Sequence, residues 1–174
     1  CIRDRALYLL ADLLGEDVVN HVLNSLLQEH GFKGAPYPTV LALVDRLRAV
    51  TPPDKAYLID DLFEHIVLYE NRADSASARQ RPDGKFEVTI RAHAGKVRAG
   101  ELGDEKPAPL KDYIEFGVDD RNGNPLARER RLVDSASQTV TLVVGGRPSR
   151  AGIDPDNKLI DRKPTDNMVP VDNL

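Results

Sequence analysis

"KFEVTIRAHAGKVRA" (Lys85–Ala99) decides how the chain is read. Phe86, Val88 and Ile90 alternate with Glu87, Thr89 and Arg91, a period of two that marks a strand with one buried face. An amphipathic helix would instead need apolar residues three and four apart. Directly before it stands Pro82-Asp83-Gly84. These residues favour a turn, because proline presets φ and glycine accepts positive φ. "HIVLYENRADSASARQ" (His65–Gln80) runs into that turn and reads as extended, so the two stretches predict a long hairpin.

The pattern continues toward the C-terminus. "KDYIEFGV" (Lys111–Val118) places Ile114, Phe116 and Val118 on one face. Asp120-Arg121-Asn122-Gly123-Asn124, centred on Asn-Gly, predicts a hairpin turn. "PLARERRLV" (Pro125–Val133) returns from it, apolar at Leu126 and Leu132 and charged between. Ser137–Asp154 supplies Val140, Leu142 and Val144, a Gly145-Gly146 turn and a last strand to Ile153. Six or seven short strands at this spacing predict an antiparallel, Ig-like β-sandwich of about 100 residues.

Toward the N-terminus the period becomes helical. Leu7, Leu10, Leu13 and Leu14 form one stripe, ended by Gly15. Val18, Val19, Val22, Leu23, Leu26 and Leu27 form the next, with Glu16 and Asp17 where the helix dipole favours acids. Gly31 and Gly34 stop it. Thr39 reads as the N-cap of a third helix with Leu41, Val44, Leu47 and Val50 as its stripe. Thr51-Pro52-Pro53-Asp54 reads as the capped start of a fourth, carrying Ala56, Ile59, Leu62 and Phe63. The chain is therefore expected to be α+β, with a helical segment over residues 1–68 and a β-sandwich with a C-terminal tail over 69–174. The seam falls near residues 66–72.

Composition narrows the function classes. The 174 residues carry a net charge of −4. Residues 1–72 hold 7 Lys/Arg against 11 Asp/Glu, and the remainder holds 17 against 17. No basic face is implied, so no nucleic-acid partner is expected. The single cysteine, Cys1, cannot form an internal disulfide and leaves the compartment unread. No apolar run approaches the ~20 residues of a membrane span, and no secretory leader is visible. Direct membrane insertion by this chain is not expected. A start at Cys rather than Met reads as a piece of something longer.

No set of residues forms a catalytic constellation in the sequence. His21, His30, His65 and His93 show neither His-Glu-x-x-His spacing nor a neighbouring cysteine pair. None of the serines stands in a Gly-x-Ser-x-Gly elbow. Gly145-Gly146 lacks the lysine and helix of a phosphate loop. Catalytic, cofactor-binding and metal residues are therefore expected to be none. Arg128, Arg130 and Arg131 are the candidate interaction surface, for a protein or peptide, against the plainer possibility of a solvated strand face crossed by Glu129.

The tail "GIDPDNKLIDRKPTDN" (Gly152–Asn167) is dense in acids and amides. Counted as a calcium-binding EF-hand loop from Asp154, it has Lys158 where the fifth position needs an oxygen and Thr165 where the twelfth needs a bidentate acid. That excludes an EF-hand and leaves a calcium site of another kind open. In the structural alternative, Ile153 ends the last strand and Asp154-Pro155-Asp156-Asn157 makes a turn. Leu159 and Ile160 then form an apolar plug, and Asp161, Asp166 and Asn167 serve as turn acceptors.

A resemblance covers nearly the whole chain, from about residue 6 to residue 169: residues 6–73 resemble the segment that follows the active site in zinc aminopeptidases of the aminopeptidase N type. The resemblance rests on Leu10 to Glu16, which ends Leu-Gly-Glu, on the Phe-Pro-Thr turn from Phe32 to Thr39, and on Leu58 to Phe63, which ends Asp-Leu-Phe. "RAGIDPDNKLIDRKPTDN" (Arg150–Asn167) is similar to the terminus of a bacterial branch in which this peptidase module is fused behind an ABC-transporter permease. What the resemblance implies is a non-catalytic C-terminal fragment. The family's zinc ligands and general base would lie upstream, so zinc is expected only there. The family's Tyr-x-Lys-Gly motif has no counterpart in Cys1-Ile2-Arg3-Asp4-Arg5, and Tyr8 falls at a helix-packing position. The expected role is to buttress the upstream peptidase domain or shape substrate access, with a membrane-associated parent and its side of the membrane unread. The alternative is an Ig-like protein-binding module of a transporter-associated protein.

Overall fold

The computed structural model describes residues 2–172. It is a mixed α+β chain with two compact units, Cys1–Val67 and Leu68–Leu174.

In the first unit the helices are α1 (Ile2–Leu14), α2 (Glu16–His30), α3 (Val40–Val50) and α4 (Tyr57–Ile59). Gly15, at φ 104°, makes the break between α1 and α2 that a side chain would resist. Ala6, Leu9, Leu10 and Leu13 are buried on α1, Val19 and Val22 on α2, and Val44 and Leu47 on α3. The stripe read from the sequence is thus wider than the buried one on α3, where Leu41 and Val50 stay exposed. The fourth helix differs more. Thr51 turns its hydroxyl back to the carbonyl of Leu47 (2.7 Å) and closes α3 instead of capping α4. Pro53–Lys55 is a 3₁₀ turn, and α4 runs straight into a π-helical turn over Asp60–Glu64. Leu58, Ile59 and Asp61 are the buried positions: Ile59 as the stripe predicts, whereas Ala56, Leu62 and Phe63 are only half-buried.

The second unit contains β1 (Ile66–Tyr69, which begins at the unit boundary), β2 (Arg72–Gln80), β3 (Phe86–His93), β4 (Lys96–Ala99) and β5 (Glu105–Pro107). It continues with β6 (Asp112–Asp119), β7 (Pro125–Val133), β8 (Ser137–Val144), β9 (Arg150–Ile153) and β10 (Met168–Asp172). The stretch Lys85–Ala99 is two strands, not one. It breaks at Ala94-Gly95, and β4 leaves for a small sheet ordered β1-β4-β5. Lys96 of β4, Asp112 of β6 and Tyr69 of β1 tie that sheet to the large one. The buried Lys96 Nζ donates to Asp112 Oδ1 at 2.9 Å, and the Tyr69 hydroxyl does so at 3.2 Å.

The large sheet has seven strands in the order β7-β6-β9-β10-β2-β3-β8. Its end strands β7 and β8 approach each other without pairing, so it is nearly closed, like a barrel. The alternating residues read from the sequence fill its interior: Val88 and Ile90, Ile114, Phe116 and Val118, Val140 and Val144 are each at most 1–2 % exposed. Two features depart from the expected arrangement. A strand the pattern does not announce, β10, lies in the middle of the sheet, and it pairs parallel to β2 through Val171↔Ala76 and Asp172↔Ser77. Its other edge is antiparallel to β9, Met168 facing Gly152 and Pro170 facing Arg150. Pro170, with no N–H to give, stands where pairing passes from β9 to β2.

The β9–β10 contact leaves no room for a side chain at Gly152. A Cβ there would lie 1.8 Å from the carbonyl oxygen of Asn167, which accepts the Ile153 N–H. Gly152→Ala is expected to lower the unfolding free energy by at least about 2 kcal/mol in urea titrations, since backbone must move. Gly145→Ala, which meets nothing within 4 Å, is expected to stay within about 0.5 kcal/mol of wild type. Equal midpoints for the two variants would contradict the register.

Candidate functional site

The tail that delivers β10 is organised by two buried aspartates. Asp154 leaves β9 at φ 45° and is 2 % exposed. Its N–H donates to the carbonyl of Glu115 (2.7 Å), which continues the β6–β9 ladder by one residue. Its carboxylate accepts the N–H groups of Lys158 (2.9 Å) and Leu159 (3.1 Å). Asn157, also at positive φ, closes the turn onto the Asp154 carbonyl. The sequence reads this span as a turn; the structure adds that the aspartate side chain holds it.

Asp161 does the same one step later. Its carboxylate accepts Asn71 N–H (3.0 Å) and Lys163 N–H (2.9 Å). On either side of it, the Tyr69 N–H donates to Ile160 and the Arg162 N–H to Tyr69. Oriented with its NH₂ inward, the Asn167 amide donates to the Asn71 carbonyl (2.9 Å) and to Asp161 Oδ2 (3.2 Å). Ile153 and Leu159 are buried, whereas Ile160 is only half-buried and engages mainly through its backbone. Of the expected plug, Leu159 is the deeper member.

The candidate arginines are already occupied. Arg128 donates to Asp119 Oδ1 (2.7 Å) and, through Nε and Nη2, to both oxygens of Asp156 (3.4 and 3.2 Å). Gly117 makes room for this: a Cβ there would meet Pro155 Cγ at 2.6 Å and Arg128 Nη1 at 2.7 Å. Arg131 pairs with Glu129 (2.7 Å), and Arg130 also has a partner. Lys158 Nζ reaches Glu115 at 2.9 Å. Arg128 and the tail thus share one ion-pair network in which each cation faces a carboxylate. Among the described residues no three of His, Cys, Asp and Glu converge as a metal-holding group.

Compared with protein-family models and with curated protein sequences, the chain gives no match.

Burial pushes the Asp154 carboxyl up to about 7, against the pull of the Lys158 and Leu159 N–H groups and with a further push from Asp161. An unfolded aspartate titrates near 4. Between about pH 4 and 7 the native state therefore holds a proton that the unfolded chain has released. This contribution to stability is fully present below about pH 4 and is lost as pH rises through about 7. Asp154→Asn keeps one acceptor oxygen and removes the titration. Relative to wild type it is expected to gain on the order of a few kcal/mol between about pH 4 and 8 in urea midpoints. Parallel curves would contradict a buried, titrating Asp154.

The plug is tested at two neighbours. Leu159→Asp is expected to cost about 3 kcal/mol or more, by burying an unpaired charge, and Ile160→Asp clearly less. Equal melting temperatures for the two variants would count against this placement.

Proposed function

We propose that the chain is the non-catalytic C-terminal portion of a metallopeptidase-like protein of the aminopeptidase N type, where it buttresses the catalytic domain or shapes substrate access. The observation that carries this is the apolar surface of the helical unit. Leu27, Tyr37, Val40 and Leu41 are 65–75 % exposed, and Phe32 is fully exposed. They belong to one stretch, from the end of α2 to the start of α3, and Lys33 is the only charged residue between Phe32 and Leu41. Exposed apolar side chains gathered in one stretch are what a covering surface would bury. A neighbouring domain of the same longer protein is the simplest cover, and the resemblance of residues 6–73 supplies one. Zinc and its ligands would belong to that domain, and the bacterial branch with a permease would make the parent membrane-associated. Within this proposal the second unit is an Ig-like sandwich drawn almost into a barrel, which the packing of β9 against β2 and β3 supports.

Tyr37→Ser with Leu41→Ser is expected to change the chain's own stability by no more than about 0.5 kcal/mol per site, because both side chains are exposed. The pair is expected to abolish co-purification with the domain encoded upstream of Cys1, whose reading frame should carry His-Glu-x-x-His and a downstream Glu. A frame without that motif contradicts the proposal. So does one tightly bound zinc, with aminoacyl-nitroanilide hydrolysis, in this chain alone.

A further inference from the structure

Twelve arginines lie in the unit Leu68–Leu174. Nine of them are engaged: Arg72, Arg79, Arg81, Arg128, Arg131 and Arg162 with carboxylates, Arg150 with the carbonyl of Met168, and Arg98 and Arg130 with partners of their own. Among the described residues Arg91, Arg121 and Arg147 show no such partner. Two of these three, Arg121 and Arg147, line one cleft of about 620 Å³. That is within the size range of ligand-binding clefts.

The cleft is held rigidly from three sides. The Ser149 N–H donates to the carbonyl of Asp119 (2.8 Å), and the Val171 N–H donates to Ser149 (2.9 Å). The Asp120–Asn124 turn is closed by Asp120 N–H to Asn124 (2.9 Å) and by Asn122 and Asn124 N–H groups on the Asp120 carboxylate. A ligand would therefore order little of the backbone on arrival. The rest of the lining is Leu126, Gly146 and Ser149 with the edges of the buried Pro148 and Val171. Gly146 shapes it: a Cβ there would stand 2.7 Å from Leu126 Cδ2, and the backbone needs no positive φ. A side chain at this position would push the end of Leu126 aside.

We propose that this cleft docks an acidic peptide segment of a partner protein, with its carboxylates on Arg121 and Arg147 and an apolar side chain against Leu126, Pro148 and Val171. Guanidinium groups match carboxylates in bidentate geometry. An inorganic anion would leave the apolar wall unused. A nucleic acid would need a broad basic surface, which two arginines do not make; the Asp120 carboxylate of the cleft is taken up by the Asn122 and Asn124 N–H groups. The inference stands on the cleft alone and is independent of the peptidase proposal.

Fluorescence anisotropy of a labelled Glu-Leu-Glu-Glu-Leu-Glu peptide, titrated with the full chain at low salt, tests it. Saturable binding is expected. Arg121→Glu with Arg147→Glu should weaken it at least about tenfold, and Arg91→Glu, away from the cleft, should not. Gly146→Val leaves the charge untouched and is expected to weaken binding by displacing Leu126. Leu126→Ala, which removes part of the apolar wall, replaces it if that variant melts below wild type. The proposal is overturned by an absence of saturation, by an equal loss in Arg91→Glu, by indifference to the change in the wall, or by inorganic phosphate displacing the peptide at the peptide's own concentration.

Discussion

Two backbone N–H groups, those of Lys158 and Leu159, end on the carboxylate of Asp154, and the course of the chain beyond Ile153 depends on them. They reverse the chain directly after β9. Leu159 is driven inward, and the backbone of Ile160 to Arg162 is laid along Tyr69. Asp161 then takes up the N–H groups of Asn71 and Lys163, and the chain re-enters the sheet as β10. Since β10 alone connects β9 to β2, the seven-stranded sheet exists only when the tail is in place. Without it there would be two pieces, β7-β6-β9 and β2-β3-β8, each with an additional open edge.

Burying carboxylates to achieve this is costly, and the structure meets the cost in two ways. Asp161 receives two backbone N–H groups, and the Lys158 ammonium that shields the turn is matched by Glu115. Lys96, Asp112 and Tyr69 repeat the device between the two sheets. Buried pairs of this kind add little net stability and are strongly destabilising when one member is removed. At Asp154 burial outweighs the two N–H partners. The group that fixes the path of the tail is therefore also one whose charge is disfavoured by its burial.

How much of this was legible in the sequence follows from which interactions are local. The period-two faces of β3, β6 and β8 are written in neighbouring residues, and Val88, Phe116 and Leu142 are buried as the alternation predicts. The Asn122-Gly123 turn is equally local, with Gly123 at φ 81°. The π-helical turn at Asp60–Glu64 has no marker in the residues; Ile59 is buried as predicted, while Leu62 and Phe63 are half-buried. Strand β10 escaped because it is five residues long and contains a proline, which normally argues against a central strand. Its place is set by Gly152 and Asn167, fifteen residues apart, and no short window holds both. Of the candidate surface on β7, the pairing of Arg128 was not legible, because Asp119 and Asp156 are brought to it only by the fold.

The two units present different surfaces. The helical unit leaves the large apolar side chains of Leu27 to Leu41 in solvent, while the β unit, with Leu102, Leu132 and Val143 exposed, keeps most of its cations paired. The closure rests on β10, and native-state amide hydrogen exchange measures it directly. If β10 holds the two parts of the sheet together, the amides of Val169 and Val171 open with the same free energy as those of β3 and β6, in one cooperative unit. Exchange of the β10 amides through a low-energy local opening, with β3 and β6 still fully protected, would show the tail to be an appendage and contradict its central role.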